Sequence, residues 1–103
     1  MIVGRVCGSV VSTTKSDRMH GMKILLVREV DIPTQKEVGD AKVAIDTIGA
    51  GEGELVLCVS GSSSRQTEKT FNRPVDFAII GVVDSIDLIG KRIFEKYQSE
   101  QEN

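Results

Sequence analysis

Gly49-Ala50-Gly51-Glu52-Gly53 is the stretch of this chain most like a phosphate-binding loop. Closely spaced glycines let a backbone approach a pyrophosphate, and a following helix adds its free amides. Here Glu54 stands where the dinucleotide fingerprint needs its third glycine, and the residues after it read as a strand. A carboxylate would therefore face the anion. Gly90-Lys91 fails as a P-loop, because Arg92 replaces the Ser or Thr that would reach magnesium. Gly61-Ser62-Ser63-Ser64-Arg65 resembles half of a nucleophile elbow, with Arg65 in place of the closing glycine. His20, the single histidine, is the only base such a serine could use. It sits in the polar stretch KSDRMHGM and reads as a solvated loop residue rather than a base or metal ligand.

Ser63 and Gln66 instead stand in the S-x-x-Q relation of a capping box, which satisfies the orphan amides of a helix start. Those amides together with Arg65 could hold an anion, either a small ligand or a carboxylate of a neighbouring subunit. Asp46, Glu52, Glu54, Asp76 and Asp84 are scattered singly, without the spacing of a calcium loop. Cys7 and Cys58 are too few and too far apart for a disulfide framework or a zinc site. The sequence thus implies no catalytic residues, no cofactor and no metal.

The totals agree. A formal net charge of -2 and an aromatic content of 4% leave little for a nucleic-acid partner, which wants basic patches and stacking rings. No run approaches the ~20 apolar residues of a membrane span, and the opening MIVGRVCGSVV makes a poor signal peptide. The reading is a reduced, cytoplasmic protein with two free thiols, folded as a single domain over residues 1–97 with a frayed polar tail at 98–103.

Short Val- and Ile-rich runs bounded by Gly, Pro and Ser predict strands over residues 2–13, 23–31, 43–48, 55–59 and 77–84. A further extended piece is expected around Ile93 and Phe94, and one short helix over residues 62–69. Gly4 and Gly8 share the face of Val6 and Val10, marking a bulge, a bend or a close neighbouring backbone, whereas Cys7 lies on the opposite face with Arg5 and Ser9. Residues 33–40 read as an exposed connection. The fold class is all-β: a small closed barrel of about five strands with one short helix.

Three motifs in order, V-A-I-D-T-I-G-A-G-E-G-E, V-S-G-S-S-S-R-Q and R-P-V-D followed by I-I-G-V-V-D, resemble the EutN/CcmL family of microcompartment shell vertex proteins. The pattern G-x-V-V-S-T-T-K and the run K-I-L-L-V also fit, so the likeness spans residues 2–94. The resemblance implies an OB-like barrel assembled as a homopentamer that caps the corners of a bacterial microcompartment shell. Its partners would be copies of itself and the hexameric shell proteins of the same compartment, with no nucleic acid and no membrane. It places the subunit contact or axial opening at Asp46, Gly49, Gly51, Gly53, Glu54, Gly61, Ser62, Ser63, Ser64, Arg65, Pro74 and Asp76. In that setting the glycines would admit close backbone contact, and Arg65 would pair across the interface with Glu54. The alternative is an OB-type binding module for single-stranded nucleic acid or a small anionic ligand.

Overall fold

The computed structural model describes residues 1–12, 23–60 and 77–97. Among these residues seven strands form: β1 (Ile2–Ser9), β2 (Lys23–Glu29), β3 (Lys42–Asp46), β4 (Leu55–Ser60), β5 (Phe77–Val82), β6 (Ser85–Leu88) and β7 (Lys91–Glu95). The first five close into a barrel in the order β1-β2-β3-β5-β4, and β4 pairs back onto β1. All barrel pairs are antiparallel except β3 with β5, where Ile45 faces Ala78. A parallel pair needs a crossover. β4 lies in that crossover, running along the far side of β5 before the chain returns. Closure gives each of the five barrel strands a partner on both sides, which removes the barrel's route to edge-to-edge aggregation.

Alternation sets which side chains enter the barrel. In β2, KILLVRE, Leu25 and Val27 are buried while the alternating Ile24, Leu26 and Arg28 are only half-buried. The core they join contains Val6, Ala44, Ala50, Val56, Cys58 and Ile79, with half-buried Ile2, Phe77 and Val82 packed against it. Cys58 behaves here as a small apolar residue, and burial pushes its thiol up to about 12.

Strand coiling is built with bulges. Val6 pairs with Val27 but Gly8 pairs with Leu26, so Cys7 is the extra residue on β1 and points outward. A second bulge leaves Ile80 of β5 unpaired between Leu57–Gly81 and Cys58–Ile79. Such bulges bend a strand and deepen its twist, as a small barrel requires.

The barrel meets the sequence expectation, with strand ends shifted by up to four residues: β1 stops at Ser9 rather than residue 13, while β3 starts one residue early and β4 ends one late. The helix expected over residues 62–69 lies outside the described residues. The single extended piece expected near Ile93 is instead a two-stranded hairpin, β6–β7, in which Ser85 faces Glu95 and Leu88 faces Lys91. Ser85–Leu88 was missed because S-I-D-L carries too few apolar residues to stand out as a strand.

Candidate functional site

The glycine turn after β3 gathers the described residues to which function was assigned from sequence. Asp46 ends β3 with its side chain only 1% exposed. Its Oδ1 accepts the amides of Ile48 and Gly49, each at 3.1 Å, and its Oδ2 accepts that of Ala50 at 2.9 Å. Three amides converging on one carboxylate make an anion nest whose anion belongs to the chain itself. Lys23 Nζ lies 4.0 Å from Oδ2 and donates to the Ala50 carbonyl at 3.2 Å. Gly49 adopts a φ of 84°, which lets the chain turn so that the Ala50 methyl drops into the core.

The second half of the turn docks on β1. Gly53, at a φ of 89°, donates its amide to the Val6 carbonyl at 2.8 Å, and Val6 returns its own amide to Glu54 at 3.0 Å. Arg5 Nη1 donates to the Gly53 carbonyl at 3.0 Å. Glu54 Oε1 accepts the Gly51 amide at 2.6 Å, and its Oε2 meets Lys96 Nζ at 2.5 Å, just beyond β7. Thr47 Oγ donates to the Ile79 carbonyl at 2.7 Å and ties the turn to β5. The turn is therefore fastened to strands on three sides.

Only part of the glycine expectation is met within the chain. Gly49 and Gly53 are required by backbone angle, and a Cβ on either would touch nothing within 4 Å. Gly51 has no such angle, and its Cβ would sit 3.5 Å from the Glu54 carboxylate. The close approach proper is in β1, where a Cβ on Gly4 would lie 2.4 Å from Val27 Cγ1. Asp46, Gly49, Gly51, Gly53 and Glu54 are brought together; Gly61, Ser62, Ser63, Ser64, Arg65, Pro74, Asp76 and His20 lie outside the described residues.

One polar group escaped the sequence reading. Arg5 and Arg28 both reach Glu37, at 3.8 and 3.4 Å, and Arg28 also donates twice to the Gly39 carbonyl, at 3.0 and 2.7 Å. These bonds fasten the 30–40 connection to the outside of β1 and β2. The available signal was the outward register of Arg5, on the face of Cys7 and Ser9.

Lys96 holds the Glu54 carboxyl below its usual value of 4.5, helped by the Gly51 amide. The bond contributes stability above that value, and the contribution is lost as pH falls through the lower folded value. Melting temperatures of wild type and Glu54→Gln, followed from pH 7 to 3, should converge on acidification. A gap that stays constant would show that the ion pair contributes no pH-dependent stability.

Among the described residues no three His, Cys, Asp or Glu side chains converge to hold a metal, and no buried side-chain polar atom lacks a partner. The Asp46 and Glu54 carboxylates are spent on the turn's own backbone and on Lys96. Fold and site define a class: a small closed β-barrel whose chemically rich residues serve its own architecture.

Residues 1–84 match the family described as ethanolamine utilisation protein EutN/carboxysome. This chain belongs to the EutN/CcmL family. It is 46% identical over 90 residues to the bacterial microcompartment shell vertex protein PduN of Salmonella typhimurium, covering 84% of this chain and 98% of the relative. The solved structure of Gloeobacter violaceus CcmL superposes with a TM-score of 0.87 at 38% identity, covering 93% of this chain and 98% of that one. GrpN of Rhodospirillum rubrum, a pentameric microcompartment shell protein, superposes with a TM-score of 0.78 at 37% identity, covering 86% and 100%.

Proposed function

We propose that this protein is a structural component of a bacterial microcompartment shell, sited in the cytoplasm, where five copies close into a ring that caps a vertex. The carrying observation is that the likeness to shell vertex proteins, one of them pentameric, runs through nearly the whole chain in both sequence and barrel. The protein acts as a building block rather than an enzyme: among the described residues its acidic turn holds backbone and offers no reactive group. Hexameric shell proteins of the same compartment are its neighbours. It engages neither nucleic acid nor membrane, in keeping with its charge of -2 and few aromatics.

In the ring, the glycine turn (Asp46, Gly49, Gly51, Gly53, Glu54) and residues Gly61, Ser62, Ser63, Ser64, Arg65, Pro74 and Asp76 line the subunit contact or axial opening. The open space beside Gly49 and Gly53 suits the approach of a second chain. Asp46 contributes indirectly, by holding the turn, and Glu54 would share its carboxylate between Lys96 and the neighbour's Arg65. Native mass spectrometry should find a species five times the mass of the 11.2 kDa chain. Arg65→Ala should dissociate it at higher concentrations than wild type. A monomer at micromolar concentration would overturn the ring, and a hexamer would overturn the vertex geometry.

A further inference from the structure

The β6–β7 hairpin is joined at a two-residue turn, Ile89-Gly90, because Leu88 pairs with Lys91. Both turn residues have positive φ, 49° and 75°. A type I′ turn demands this and favours Asn-Gly. A β-branched residue there is strained, on the order of 1–3 kcal/mol. Ile89 is also 94% exposed, and Leu88 beside it is 38% exposed. An isoleucine at this place costs backbone strain and leaves a large apolar side chain in water. Asparagine would avoid both.

Among the described residues the hairpin has few ties to the barrel. It joins no barrel sheet and is held to the barrel by Val83 N donating to the Leu55 carbonyl and by Lys96 on Glu54. Two strands alone are marginal in water. Elsewhere on the chain lies a cleft of about 500 Å³ lined by Val3, Val30, Ile32, Val38 and Leu57, with the acidic Glu29 and Asp31 in its wall. Ile32 and Val38 are both more than two-fifths exposed. Basic residues follow the tip directly: Lys91 and Arg92, the latter paired within the hairpin to Asp87 and Glu95.

We propose that the Leu88–Ile89 tip of one copy seats in this cleft of the next copy, with Lys91 facing Glu29 and Asp31. This rests on the ring reading above and names its contact. Tip and cleft are different surfaces of one chain, so the contact is heterologous and propagates around a closed ring. Burial of the two side chains offsets the strain at Ile89.

Ile89→Asn tests this without threatening the fold, since Asn-Gly suits the turn. Dilution followed by native mass spectrometry should show its ring dissociating at about tenfold higher concentration or more, with the circular dichroism of wild type. In a Cys7→Ser background, Ile89→Cys combined with Ile32→Cys should give, under mild oxidation, a reduction-sensitive ladder of linked subunits that neither single variant gives. Wild-type dissociation behaviour in Ile89→Asn, or an intact ring with no ladder, would overturn this contact while leaving the ring standing. A wild-type protein monomeric throughout would overturn the ring reading, and this contact with it.

Discussion

Gly4→Ala should cost this protein about 3 kcal/mol or more, a large share of the stability of a small domain. The added Cβ would lie 2.4 Å from Val27 Cγ1 and 2.9 Å from the Arg28 carbonyl oxygen. Neither neighbour can give way. Val27 is 1% exposed in the middle of the core, and a valine has one comfortable rotamer in such a place. Arg28 O belongs to the β2 backbone, held against β1 where Arg5 pairs with Arg28. The strands would have to part, and a closed barrel cannot open one seam without disturbing the others. Gly8→Ala makes the control: its Cβ would meet only Leu26, at 3.4 Å from Cδ1. Urea denaturation of the two variants should separate them by about 2 kcal/mol or more. Equal midpoints would show that β1 and β2 are not as closely packed as described.

Asp46→Ala should destabilise by a similar amount, for an electrostatic reason. Removing the carboxylate leaves the amides of Ile48, Gly49 and Ala50 without an acceptor, and the last of these is buried. Hydrogen bonds to a charged group are worth about 1.5–3 kcal/mol each, and an orphaned buried donor costs its full desolvation. The three share one acceptor and are not additive, so a total of about 3–4 kcal/mol is expected. Asp46→Asn keeps one acceptor oxygen but turns an NH2 group toward the remaining amide, and should fall between wild type and alanine. The loss should also be visible as faster amide exchange at Gly49 and Ala50. A stable Asp46→Ala protein with unchanged exchange would mean that the turn is held by β1 alone.

Asp46 also marks how far a sequence can be read. The family resemblance placed it at a subunit contact or axial opening. Within the chain the fold also makes it the anchor of its own turn, because β3 ends where three successive amides swing back over the strand. No pattern of spacing announces that convergence. Glu54 behaves likewise: its partner Lys96 is 42 residues away and reaches it only because the hairpin leaves the barrel beside Leu55. The Arg5–Glu37–Arg28 group depends on the same kind of long-range placement.

Local physics determined the rest. The apolar runs of β2, β4 and β5, bounded by charged and turn residues, left those segments no other use than strands. Three ordered motifs, read as strings, were enough to name the family. Strand periodicity and turn chemistry are properties of a few adjacent residues, so the chain carries them openly. Barrel order, the parallel seam between β3 and β5 and the clash reserved at Gly4 are set by which distant segments meet, and only the closed barrel decides that.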